Sequence, residues 1–151
     1  MYEPSPFPIA STQRRTVSFV IDDLVVSLFF IIIFYPQLSE VFSSATEVNE
    51  MTLQSINAFI SQNILVIFAI KILYHAVLVW QNGMTVGKYI MKIKVIDLQT
   101  GQTPNFSKAL LRASIRIPSE ALFYLGFVLA FFLPLNQTLH DKLSNCVVVD
   151  G

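Results

Sequence analysis

The sequence predicts an all-α polytopic membrane protein with three long hydrophobic segments and a small cytoplasmic β-pair. Three observations carry that prediction. Of 151 residues, 54% are hydrophobic and only 13% are charged, against about 25% charged in a typical soluble domain. Long apolar runs recur at 17–35, 63–80 and 117–135. The formal net charge is zero, but the basic residues gather on alternate sides of these runs.

Taken in order, residues 1–16 form a Pro-containing N-terminal arm on the cytoplasmic side, with residues 1–12 expected to be poorly ordered. Residues 17–151 form one membrane domain. No cleavage site follows the first apolar run, so it reads as an uncleaved anchor. That run holds 19 residues, or roughly 28 Å of helix, close to the hydrocarbon thickness of a bilayer. Pro36 is expected to end it. Residues 37–62 are polar, with Glu40, Glu47 and Glu50 and no Lys or Arg. The second run is interrupted by Lys71 and His75. Residues 81–116 then carry Lys88, Lys92, Lys94, Lys108, Arg112 and Arg116 against a single acid, Asp97.

Basic residues collect in short cytoplasmic loops. Arg14 and Arg15 precede the first run and six basic residues separate the second from the third, so the N-terminus and the 81–116 segment read as cytoplasmic and 37–62 as outside. The third run either crosses or turns back as a re-entrant hairpin near Pro118 or Gly126. Residues 91–98 alternate imperfectly, with Ile93, Val95 and Leu98 apolar, and residues 146–149 are an apolar, β-branched run. Strands need partners, so these two are expected to pair, which favours return of the C-terminus to the cytoplasm.

Ionisable groups within the runs are the candidate functional residues, because a charge in lipid is costly and faces a partner or a water-filled cavity. Arg15, Ser18 and Asp22 lie on nearly one helical face, and Arg14, Ser18 and Asp22 make an i, i+4, i+8 series. This polar stripe either lines an ion path or fixes helix packing. Lys71 and His75, four residues apart, share a face. Asp22, Asp23 or Glu120 could neutralise Lys71, giving either a carboxylate–lysine–histidine relay or a charge pair that locks two helices.

Other chemistries find little support in the sequence. Two histidines, His75 and His140, and one cysteine, Cys146, offer no metal-ligand spacing and no disulfide. No cofactor is expected. Residues Thr85-Val-Gly-Lys88 resemble part of a phosphate loop but lack its upstream glycine, and Tyr89 stands where a Ser or Thr is required, so nucleotide binding is rejected. The basic segment suits topology and anionic lipid rather than nucleic acid. Trp80 and Tyr74 fit an interfacial aromatic belt. No nucleophile is placed beside a base, so no enzyme is expected.

Four blocks in order resemble the RDD family of bacterial integral membrane proteins: Arg15 through Ile21-Asp22; Thr85-Val-Gly-Lys88 with Ile93-Lys-Val-Ile-Asp97 and Gly101; Ala109-Leu-Leu-Arg112; and Gln137-Thr-Leu-His-Asp141-Lys-Leu with Val147-Val-Val. The resemblance implies a multi-pass protein of the bacterial cytoplasmic (inner) membrane with Arg15, Asp22 and Asp141 as signature positions. Asp23, Lys71 and His75 lie outside that signature. It also implies transport of an unidentified ligand. If the C-terminus returns to the cytoplasm, Asp141 meets Arg15 or Arg112. The function expected is a transporter or transporter subunit for a small ligand or cation. The alternative is a non-catalytic adaptor of a larger complex. Besides the lipid bilayer, the partners expected are further copies of the chain or another membrane protein.

Overall fold

The computed structural model describes residues 7–44, 49–121, 128–133 and 135–151. Helix α1 spans Thr12–Ile33, α2 Tyr35–Ser44, α3 Glu50–Asn82, α4 Val86–Ile90, α5 Phe106–Ala121 and α6 Leu139–Leu143. Strand β1 is Ile93–Asp97, β2 is Cys146–Asp150, and a 3-10 turn covers Leu129–Phe131.

Helices α1 and α3 are each long and apolar enough to cross a membrane, and only 17% of either apolar window is buried. Leu24, Ile32 and Leu65 are 62%, 71% and 79% exposed. A soluble core helix would bury such side chains, each worth about 1.5–3 kcal/mol on leaving water. Lipid is the surrounding these flanks require.

Several boundaries differ from the sequence expectation. Helix α1 begins at Thr12 rather than Val17, because Ser11 accepts a hydrogen bond from the Arg14 amide at 3.4 Å and so caps the first turn. The helix breaks at Phe34. Pro36 does not end it but sits in the first turn of α2, where its missing N–H costs nothing. Helix α3 begins at Glu50, capped by Asn49, so residues 50–62 are helical rather than loop. The basic 81–116 segment is no loop either: Lys108, Arg112 and Arg116 lie at i+4 intervals on α5. Helix α5 stays helical through Pro118 to Ala121. The rest of the third run falls partly on residues 122–127 and 134, outside the described residues, and so does Gly126.

The expected β-pair is present. Strands β1 and β2 are antiparallel, Ile93 opposite Asp150 and Asp97 opposite Cys146. The N-terminal arm is tied to them: Ile9 bridges Val149, Ala10 N–H donates to the Val148 carbonyl at 3.0 Å, and Asp150 N–H donates to Pro8 at 2.9 Å. Arg14 fastens the same corner, donating to Asp150 at 2.5 Å and to the Lys92 carbonyl at 3.0 Å.

Helix α3 ends at Gly83, in left-handed backbone at φ 70°. A Cβ there would also lie 2.8 Å from the Val95 carbonyl. Only glycine lets Gly83 accept the 2.7 Å hydrogen bond from Val95 N–H that ties α3 to β1. Val79, Ile93, Val95, Ala109, Cys146 and Val148 form the core beneath the sheet. Ala109 and Ala113, both buried, let α5 approach α3 closely. The N-terminal arm, the end of α3, the sheet and α6 thus assemble at one end of the α1–α3 pair. Phe30, Phe34 and Phe59 pack as an aromatic cluster further along it, with centroids 4.7–6.0 Å apart.

Candidate functional site

Three carboxylates organise the polar interior. Asp22 is fully buried one face inward on α1. Its Oδ1 accepts from Tyr74 Oη at 2.8 Å and from the Gly87 amide at 2.8 Å, and its Oδ2 accepts from Thr85 Oγ1 at 2.6 Å. Lys88 Nζ stands 3.6 Å away and donates to Thr85 Oγ1 at 3.2 Å. Helix α1 therefore satisfies the first turn of α4, where backbone amides lack partners. Gly87 makes the approach feasible: a Cβ would sit 2.1 Å from the Ser18 carbonyl oxygen. Burial pulls the Lys88 ammonium down to about 7, against the upward pull of Asp22 and with Arg112 and Arg116 adding to the fall.

Asp141 is also fully buried. Arg15 Nη2 donates to its Oδ2, while Arg112 Nε and Nη2 reach its Oδ1 at 2.7 Å each. The sequence left Arg15 and Arg112 as alternative partners; both converge on the one carboxylate. Thr138 and Asp141 close a capping box at the start of α6, which fixes the carboxyl within the fold. Burial opposes the charge on Asp141, yet Arg112 and Arg15 outweigh it and hold the carboxyl well below its ordinary value. His140, buried beside it at 3.7 Å, is driven well below its ordinary value, by burial first and then by Arg112 against Asp141.

The third carboxylate is Glu120. It accepts from Lys71 Nζ at 2.8 Å and from Arg116 Nε at 2.7 Å. Lys71 also lies 3.5 Å from Asp23. Arg116 Nη1 is 3.5 Å from His75 Nδ1 and its guanidinium lies over the Phe19 ring at 4.7 Å. Asp23, Lys71, Glu120, Arg116 and His75 thus form one connected string across α1, α3 and α5.

Beside these clusters lies a cavity of about 390 Å³ whose wall includes Arg15, Lys88, Arg112 and Arg116. None of Asp22, Asp141 or Glu120 lines it.

Several sequence-named groups meet as weighed, and others do not. Of the partners considered for Lys71, Asp23 and Glu120 contact it and Asp22 does not. Arg15 and Asp22 share a helix but bind separate clusters. Ser18 donates to the Arg15 carbonyl at 2.9 Å and packs under Gly87. The Tyr74 hydroxyl holds Asp22 and accepts from the Val86 amide at 3.3 Å. Thr85, Lys88 and Arg116 were not picked out as site residues. The Thr138-x-x-Asp141 spacing is a readable capping signal; Thr85 opens the Thr85-Val-Gly-Lys88 block, but nothing local points it at Asp22, 63 residues away.

A proline-rich antigen of Mycobacterium leprae is 32% identical over 79 residues, covering 48% of this chain and 32% of that protein. A proline-rich antigen homolog of Mycobacterium tuberculosis is 30% identical over 81 residues, 49% of this chain and 34% of that protein. The matched stretch is thus about a third of the curated relatives' length. No solved structure matches. The sequence model described as the RDD family matches residues 9–145, which include Arg15, Asp22, Gly87, Arg112 and Asp141, and the chain belongs to the RDD family.

Proposed function

We propose that this chain is a small, non-enzymatic transporter or transporter subunit of the bacterial inner membrane, moving a small ligand or cation with proton coupling. The single observation that supports this most is the string Asp23–Lys71–Glu120–Arg116–His75. Ionisable side chains that link two candidate spans through a third helix are the usual material of ion and proton paths. In this reading the end bearing Arg14, Arg15, Lys88 and α5 faces the cytoplasm. The N-terminal arm and β2 pair at that end, which supports a third segment that turns back rather than crosses. A path needs more wall than two or three helices give, so the transporter works as a homo-oligomer or with another membrane protein.

Proton movement driven by an imposed sodium or potassium gradient in proteoliposomes tests the reading. Wild-type chain is expected to change lumenal pH. Glu120→Gln, folded by size-exclusion profile, is expected to abolish the change by severing Lys71 from Arg116. Wild-type flux no greater than in empty liposomes would overturn it. A non-catalytic adaptor of a larger complex is the second reading. It predicts no flux and stable co-purification with a larger partner.

A further inference from the structure

We infer that the 390 Å³ cavity seats the headgroup of an acidic phospholipid, with its acyl chain running down the exposed flank of α1. The cavity is graded in polarity. Along α1 its wall is made by Thr12, Arg15, Thr16, Phe19 and Val20, at i, i+3, i+4, i+7 and i+8, with Ser18 beside them. The polar members lie toward the helix start and the apolar ones further into the span. Val20 is 51% exposed, and Phe131, also in the wall, is 69% exposed, so the apolar lining opens to the surface that needs lipid.

Charge selects the headgroup. Two guanidiniums, Arg15 and Arg112, share the single carboxylate of Asp141, leaving a positive excess in the wall. Arg116 adds a third guanidinium there, its carboxylate partner Glu120 standing outside the lining. Each guanidinium carries five N–H donors in a planar fork that matches phosphate oxygens. A soluble anion would use this charge but leave the exposed Val20 and Phe131 uncovered. An acidic lipid uses both, and the volume suits a headgroup within the range of ligand sites, about 300–1,000 Å³. The inference needs the chain to sit in a bilayer but not to transport anything.

Native mass spectrometry of detergent-purified chain measures it directly. Phosphatidylglycerol, phosphatidylcholine of the same acyl chains, and soluble glycerol phosphate are titrated separately. Phosphatidylglycerol is expected to bind with one high-affinity copy per chain, at least tenfold tighter than phosphatidylcholine and than glycerol phosphate. Thr16→Glu puts a negative charge at the exposed cavity edge without touching the buried ion pairs. It is expected to remove the preference for phosphatidylglycerol while leaving the thermal midpoint in detergent unchanged. Equal binding of the two lipids, or an unaltered preference in Thr16→Glu, would overturn the inference. Glycerol phosphate binding as tightly as the lipid would assign the cavity to a soluble anion and overturn it as well. Because no flux is read, this result stands or falls apart from the transport reading.

Discussion

Asp141 holds two arginines, and that sharing decides what its loss would do. Arg15 and Arg112 are 10% and 6% exposed, so neither can turn to water when the carboxylate is removed. Breaking a buried pair by deleting one partner costs about 3–5 kcal/mol, because the surviving charge is stranded. Asp141→Asn is therefore expected to lower the thermal midpoint in detergent steeply or to abolish monodisperse protein. A size-exclusion profile matching wild type, with an unchanged midpoint, would contradict it. Gly87 is the second residue on which the fold turns. An added methyl would meet the Ser18 main-chain oxygen at 2.1 Å, and Asp22 Cγ at 3.0 Å. Overpacking of this kind costs about 1–3 kcal/mol, and here it would also pull the Gly87 amide off Asp22. Gly87→Ala should destabilise, and adding Ser18→Gly should not rescue it, since the obstacle is backbone.

At the scale of elements, one of the two five-residue α-helices carries a disproportionate task. Helix α6 has five residues, too few to be stable by itself, yet it aims Asp141 at α1 and α5. Its capping box is what starts it. Thr138→Ala should cost about 1 kcal/mol, within the 0.5–2 kcal/mol seen for such caps, while Thr138→Ser should stay near wild type. Equal midpoints for the Ala and Ser variants would rule the cap out. The physics also separates what could be read from the sequence from what could not. Hydropathy alone marks α1 and α3, imperfect alternation marks β1 and an apolar β-branched run marks β2, because those signals are local. In the sequence alone helix α5 reads as a basic loop, since Lys108, Arg112 and Arg116 dominate its composition. Their four-residue spacing was visible, but their burial depends on Asp97, Asp141 and Glu120, which reach them from other elements or from the next turn.

On the scale of the whole molecule, the chain is an apolar helix pair carrying a compact polar assembly at one end, built from segments far apart in sequence. The signature residues could be named in advance, but not the way they are divided. Asp22 turned out to hold α4, and Asp141 to hold α1 with α5, because three-dimensional closure chooses among partners that spacing leaves equal. That closure makes the assembly sensitive to mild acid. His140 is buried with its imidazole held well below its ordinary value, chiefly by burial. In the unfolded chain it titrates near 6.5. Below that pH the unfolded state takes up a proton that the folded state refuses, so folding stability falls as pH falls. One such group gives a slope of up to about 1.4 kcal/mol per pH unit. Asp141 works in a separate window. Its carboxyl is depressed in the fold, so its contribution is complete above its unfolded value near 4 and is lost only as pH drops further. Between pH 6.5 and 5 the loss attributable to this corner is therefore that of His140, with the Asp141 clamp still charged. Thermal midpoints of wild type and His140→Gln measured in detergent from pH 8 to 5 should converge as pH falls, the variant losing less between 6.5 and 5. Parallel curves would show that His140 takes up its proton equally in both states, and that its burial does not tie this end of the molecule to pH.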